Sequence, residues 1–312
     1  SRGDNYNVEI APDWIKDEND WSFKVTKGDR SEEDDDGTTI VIHDLHEGVA
    51  SQFSDDRSSF TSDLVKKIQT HYSFIISKGF AVYVNGKLVE ARPTRLIFAE
   101  SDGRKKTIRP FIYRTEKEGV NVFLAVGFTR SIPGEDELRQ EQEEGGKYSS
   151  LAAGWTIVCN DRAVVYCDKT ELTGWGEADV PQYHTQFIAI SGIVEFRSDD
   201  PSKLPTTTTK RGIDASSTLY LQVKNKMREG MRTFVEYTNK WKKDVRQSKE
   251  HMQSAKAVTV AELKDKMQHL DLSPVKKGAG GEQYRPHLPM PKPKEIQKRR
   301  IVFTRQVKDI AL

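Results

Sequence analysis

Cysteine is scarce in this chain: Cys159 and Cys167 are the only two among 312 residues. They flank Asn160-Asp161-Arg162. If that triplet is a hairpin turn, the two thiols lie at different distances from it and are poorly placed to bond to each other. That excludes a disulfide-stapled secreted domain and predicts free thiols in a reducing, cytoplasmic setting. No Cys/His set has zinc spacing; His43 and His46, three apart, read as a strand end. No apolar run approaches the roughly 18 residues of a membrane-spanning helix, and no secretory signal opens the chain. A net charge of +2 excludes nucleic-acid binding through bulk charge alone. A stand-alone catalyst has little support. No Ser/His/Asp or Cys/His set is brought onto adjacent loops, and 47 Asp and Glu are too many for one pair to stand out.

What is present suffices for a core under a very polar surface. Hydrophobic residues make up 36% and charged residues 31%, and the length favours two domains of ordinary size. The opening Ser1-Arg2-Gly3 has no Met and reads as a cut or a tag scar. Tyr6–Ile10, Trp21–Val25 and Thr38–Ile42 are short apolar runs, the first two alternating like half-buried strands. Glu32-Glu-Asp-Asp-Asp36 between them should stay solvated. Three such strands without a helix bury little, so residues 6–42 are expected to be an antiparallel sheet remnant needing a cover.

From Thr61 to Lys78 the spacing of Leu64, Ile68, Tyr72 and Ile75 predicts a helix, with Gly79 as its C-cap. Asn85-Gly86 between Phe80–Val84 and Leu88-Val89 is a hairpin signal. Further strands are expected at 95–99, 107–114 and 119–128, with an acidic loop or exposed helix over 135–144. Gly154–Cys159 and Ala163–Cys167 make a second hairpin, and Gln186–Phe196 a buried strand. Leu219, Val223, Met227, Met231, Phe234 and Trp241 define one face of a helix of roughly 25 residues that opens at Asp214 as N-cap. Trp155, Trp175 and Trp241 are expected as core anchors, and Tyr183-His184 as a strand lead-in. Thr259-Val-Ala-Glu262 is a capping box. It starts a short helix to about Leu270, before a Pro/Gly/Lys-rich linker over 273–298.

One segment concentrates functional interest. Leu204-Pro-Thr-Thr-Thr-Thr-Lys-Arg-Gly-Ile-Asp214 places a single Lys, Lys210, after four Thr. Pro205 and the β-branched run favour an extended, exposed loop between the last long strand and the long helix. It is either a solvated connector or an arm delivering one positive charge to a neighbouring site.

The order of these pieces resembles the GHKL ATPases, the superfamily of DNA gyrase B, MutL mismatch-repair proteins, MORC proteins and histidine kinases. Gly37-Thr-Thr-Ile-Val-Ile-His-Asp-Leu-His46 looks like the segment that ends the ATP-binding domain in MutL-type members, with His46 where Phe is usual. The Thr61–Val89 region resembles the start of the transducer domain, a βαβ-type fold shared with a small-subunit ribosomal protein. Asn160-Asp161-Arg162 resembles the family's Asn-x-Arg turn. Bacterial GHKL proteins often carry a Thr-Thr-Thr-Lys-x-Gly-Ile-Asp run like the one around Lys210.

The resemblance implies an α/β (α+β) fold: a ribosomal-protein-like βαβ transducer with a mixed sheet and two long helices, 61–78 and 214–241. It implies terminal strands of an ATP-binding domain over 1–49, the transducer over 50–242, and a helical, basic linker with a truncated element over 243–312. It implies that Lys210, with Thr208 and Thr209, reaches the γ-phosphate of ATP held with Mg²⁺ in a longer parent, a point charge meeting a terminal phosphate. The family's catalytic Glu, metal-binding Asn, adenine-binding run and Gly-rich lid would all precede Gly37. The chain alone is therefore expected to bind no cofactor and to hydrolyse nothing. The implied partners are an ATP-binding domain and a second copy of the parent. The alternative is a non-catalytic nucleic-acid module using the stretch Arg285–Lys308, which has eight Lys and Arg against Glu295, densest at Lys298-Arg299-Arg300.

Overall fold

The computed structural model describes residues 5–10, 22–28, 40–54, 59–100, 107–143, 152–209, 211–275 and 280–291. The chain divides into two compact units, Ser1–Ser58 and Ser59–Leu312.

In the first unit, β1 (Asn5–Glu9) pairs antiparallel with β2 (Lys24–Gly28), Val8 opposite Val25. Helix α1 (Glu47–Ser54) follows. Of the third expected strand, Thr38–Ile42, the described residues Ile40, Val41 and Ile42 lie outside any strand and are 80%, 76% and 74% exposed. An apolar β-branched run makes a strand only where a neighbour completes its hydrogen bonds, and among the described residues none pairs with this segment.

The second unit opens with α2 (Phe60–His71) and α3 (Ser73–Ser77), where one helix was expected. Tyr72, at φ −112° and ψ 11°, leaves helical geometry and caps both pieces; Gly79, at φ +99°, ends the second as expected. Strands β3 (Tyr83–Val84) and β4 (Lys87–Leu88) form the expected hairpin. Asn85 and Gly86 both have positive φ, as its tight turn requires. β5 is Arg95–Phe98, β6 Phe111–Lys117 and β7 Val120–Phe128. The acidic stretch is helical, α4 spanning Glu135–Glu143.

β8 (Gly154–Cys159) and β9 (Arg162–Asp168) form the second hairpin, and both cysteines are free. β10 (Ile190–Arg197) leads to α5 (Thr218–Trp241), then α6 (Val245–Met252), β11 (Lys256–Thr259) and α7 (Val260–Lys266). Thr259 and Glu262 close the expected capping box. The segment read as linker departs from its composition: β12 (Ser273–Pro274) and β13 (Glu282–Tyr284) extend the sheet, β13 pairing with β6. Pro and Gly report local preference only. Here the free edge of β6 supplies the partner, and Gly281 approaches so closely that a Cβ would lie 2.4 Å from the Arg114 carbonyl oxygen.

The result is a mixed α/β unit with a seven-stranded sheet in the order β12-β13-β6-β7-β10-β8-β9, antiparallel except for the β10–β8 pair. β7 and β10 are buried on both faces and are apolar or Gly except at Asn121, Ser191, Glu195 and Arg197. Leu124, Val126 and Phe128 of β7 meet Met227, Met231 and Phe234 of α5 in the larger core. Phe123 and Ala125 face the other way, toward Leu263 of α7, Met267 just beyond it and Phe74 of α3. Trp155, Trp175 and Trp241 are all buried, as expected of core anchors. No helix among the described residues is long and apolar enough to cross a membrane.

Candidate functional site

The chain leaves β10 at Arg197 and reaches α5 through two turns and one closed loop. Asp200 nucleates the first turn: its carboxylate accepts from the Ser202 hydroxyl and backbone N–H. Those bonds hold its pKa below the usual value. The loop then doubles back on itself. Thr206 bridges Ile213 antiparallel, Thr207 N–H donates to Gly212 O at 3.0 Å, and Asp214 N–H donates to Pro205 O at 2.9 Å.

Its stem is rooted in the core, since Pro205 is buried and Ile213 is 6% exposed within the larger cluster. Its apex is exposed at Thr208, Thr209 and Arg211. Lys210, the residue singled out by the sequence, lies outside the described residues, as do Lys298, Arg299 and Arg300. The extended loop expected from sequence is thus a hairpin-like arm on a fixed stem.

Asp214 does not cap α5. Its N–H is committed to the stem, and its carboxylate accepts from the backbone N–H and hydroxyl of Ser216. Ser217 takes the cap instead, accepting from Tyr220 N–H. The Ser216 hydroxyl, then its backbone N–H, holds the Asp214 carboxyl below its ordinary pKa.

The strand end feeding this arm is anchored by the β8–β9 turn. Asn160 and Asp161 both adopt positive φ there. The Asn160 carboxamide hydrogen-bonds both backbone groups of Ser198, and Asn160 N–H donates to Phe196 O at 3.0 Å. Asp161 receives Arg197 at 2.5 Å and Lys78, from the end of α3, at 2.6 Å. Both cations are half exposed, so each bridge contributes about 0–1 kcal/mol.

The sequence marked 160–162 as a turn. It carried no signal for Ser198, Arg197 or Lys78, which are 36 to 83 residues from their partners in the turn. Asn at a left-handed turn position is the one local hint, because its side chain can substitute for backbone.

Between Thr206 and Ile213 there is no carboxylate, and Lys210 and Arg211 are the charged residues. A loop sequence with two cations, several hydroxyls and no carboxylate suits an anion rather than a metal ion. Among the described residues no group of three or more His, Cys, Asp and Glu is placed to hold one either. Compared with protein-family models and with curated proteins, the chain matches none.

Proposed function

We propose that this chain is the transducer portion of a GHKL-type ATPase, with the arm 205–214 carrying Lys210 to the γ-phosphate of ATP bound by a separate ATP-binding domain. The observation that carries this reading is the arm itself: a cationic apex without carboxylates on a stem fixed in the core, between the sheet and α5. A stem tied to β10 and α5 lets a phosphate contact at the apex bias the packing of both. Loss of that phosphate would release the arm, the logic of a nucleotide switch. ATP with Mg²⁺ supplies the phosphoryl chemistry on the partner domain. This chain's contribution is charge and hydroxyl donors at Thr208, Thr209 and Lys210. The α/β unit is accordingly read as the ribosomal-protein-like transducer fold.

The experiment joins this chain to its ATP-binding domain and measures turnover. Lys210→Ala should slow hydrolysis 10- to 1000-fold, about 1.4–4 kcal/mol for one charge contact to the transition state. Lys210→Arg should rescue poorly, because a planar fork does not replace a compact ammonium. If Arg211→Ala abolishes turnover while Lys210→Ala leaves it intact, the charge is misassigned. If neither matters, the arm is a solvated connector.

A further inference from the structure

Tyr83 and Leu88 stand opposite each other across the β3–β4 hairpin and are 63% and 57% exposed. The next pair turns the other way: Val89 donates its N–H to Val82 O at 2.8 Å and is buried. Successive side chains of a strand alternate between faces. The outward face of this hairpin, which an ordinary surface would make polar, therefore carries Tyr and Leu. Phe80, leading into β3, is 58% exposed. Leu64 and Tyr72, at the two ends of α2, are exposed as well, and that helix has no buried residue. Single exposed apolar side chains are ordinary, but five between Leu64 and Leu88 mark a contact surface.

The same stretch lacks acid. Between Asp63 and Glu90 stand Lys66, Lys67, Lys78 and Lys87 and no Asp or Glu, in a chain with 47 acidic residues. Lys78 is engaged by Asp161. Lys66 lies 3.5 Å from Asp63, but both are exposed and such a pair contributes little in water. Lys67 and Lys87 are exposed too, and Lys87 sits on the hairpin itself, opposite Val84 and beside Leu88. A partner for this surface must offer negative charge and an apolar phase together. Bases of a nucleic acid stack on Tyr83 and Phe80 but give Leu64 and Leu88 nothing. Side chains more than half exposed also project into solvent instead of lining a groove, as capture of a peptide helix requires. An anionic bilayer meets both demands. Its headgroups attract Lys, its acyl chains accept Phe and Leu, and its boundary favours Tyr, apolar in body and polar at the tip.

We propose that the Phe80–Leu88 hairpin is a peripheral contact with an anionic lipid surface. Phe80, Tyr83 and Leu88 enter the headgroup layer, while Lys87, with Lys66 and Lys67 of α2, meets the negative headgroups. The chain lies on such a surface and does not cross it through any described helix, none of which is long and apolar enough. The contact does not depend on the ATPase reading.

The test is co-sedimentation of the full chain with phosphatidylcholine vesicles containing about one third phosphatidylserine. Binding is expected there, and roughly tenfold weaker binding to phosphatidylcholine alone. The double variant Phe80→Ser/Leu88→Ser should bind roughly tenfold more weakly, with its circular dichroism unchanged because both side chains are exposed. Insertion is read separately in Tyr83→Trp, whose fluorescence should be quenched by brominated lipid beyond the background of the unaltered chain. Adsorption through basic residues elsewhere would not produce that quenching. No binding to the anionic vesicles, equal binding to neutral ones, or full binding by the folded double variant overturns the proposal. So does a Tyr83→Trp chain that binds without added quenching. A single-stranded oligonucleotide that binds more tightly than the vesicles, and is weakened by the same double variant, also overturns it and assigns the surface to nucleic acid.

Discussion

Asn160 and Ser198 form a closed side-chain-to-backbone pair: Asn160 Nδ2–H donates to Ser198 O at 2.8 Å, and Ser198 N–H donates to Asn160 Oδ1 at 3.0 Å. One side chain thus continues the sheet past the end of β10, where backbone pairing stops, and fixes the start of the path to the 205–214 arm.

Asn160→Ala should therefore destabilise the chain by about 1–3 kcal/mol in urea denaturation, because Ser198 is buried and both its backbone groups lose their partner. Asn160 also has φ +43°, which disfavours Ala. Asn160→Gly separates the two effects: a loss close to that of Ala assigns the stability to the carboxamide, whereas a neutral Gly assigns it to the backbone angle.

Gly230 lies inside α5, where Ala alone would stabilise the helix by up to about 1 kcal/mol. A Cβ there would stand 2.5 Å from Val126 and 2.6 Å from Phe111. Overpacking of a rigid core costs about 1–3 kcal/mol, so the clash should win and Gly230→Ala should lower Tm. Gly134, where an added Cβ would meet nothing within 4 Å, is the control, and Gly134→Ala should be neutral.

Burial pushes the Cys159 thiol up to about 12 and raises Cys167 as well. Neither should react with a disulfide reagent at pH 8 in the folded chain, and both should react once it is unfolded. The stability contribution of Cys159 is whole below its ordinary pKa of 9.0 and is lost as pH rises toward about 12. Over that window folding free energy should fall by about 1.4 kcal/mol per pH unit per thiol. Cys159→Ala should flatten the fall measured by denaturation at graded pH; an unchanged slope would count against the buried-thiol account.

Trp241 donates its indole N–H to Pro289 O at 2.9 Å, and Leu288 is 4% exposed within the larger core. Trp241→Phe should cost about 1–3 kcal/mol by leaving that carbonyl without its donor. Amide exchange should accelerate selectively in residues 282–290. A uniform acceleration across the sheet would mean that residues 282–290 do not open separately from it.

Local chemistry was legible wherever neighbours along the chain decide the outcome. The Asn85-Gly86 hairpin, the Gly79 cap, the Thr259–Glu262 capping box and the apolar face of α5 are set by turn geometry, capping and helical period, and each stands as read. Tertiary structure decided what depends on a distant partner. Ser273–Pro274 and Glu282–Tyr284 lie where the composition is that of a linker and become sheet because β6 had a free edge. Ile40–Ile42 carry the β-branched apolar run of a strand and stay exposed, with no strand partner among the described residues. Asp214, a good cap by residue type, gave that place to Ser217 once its carboxylate was engaged by Ser216. The same holds for the site: the arm's charge is written in the sequence and its stem closes locally, but the Asn160–Ser198 clamp joins residues 38 positions apart, and the stem's burial through Ile213 needs the assembled core. Their hydrogen bonds and packing become favourable only after the sheet has spent the chain entropy of bringing them together.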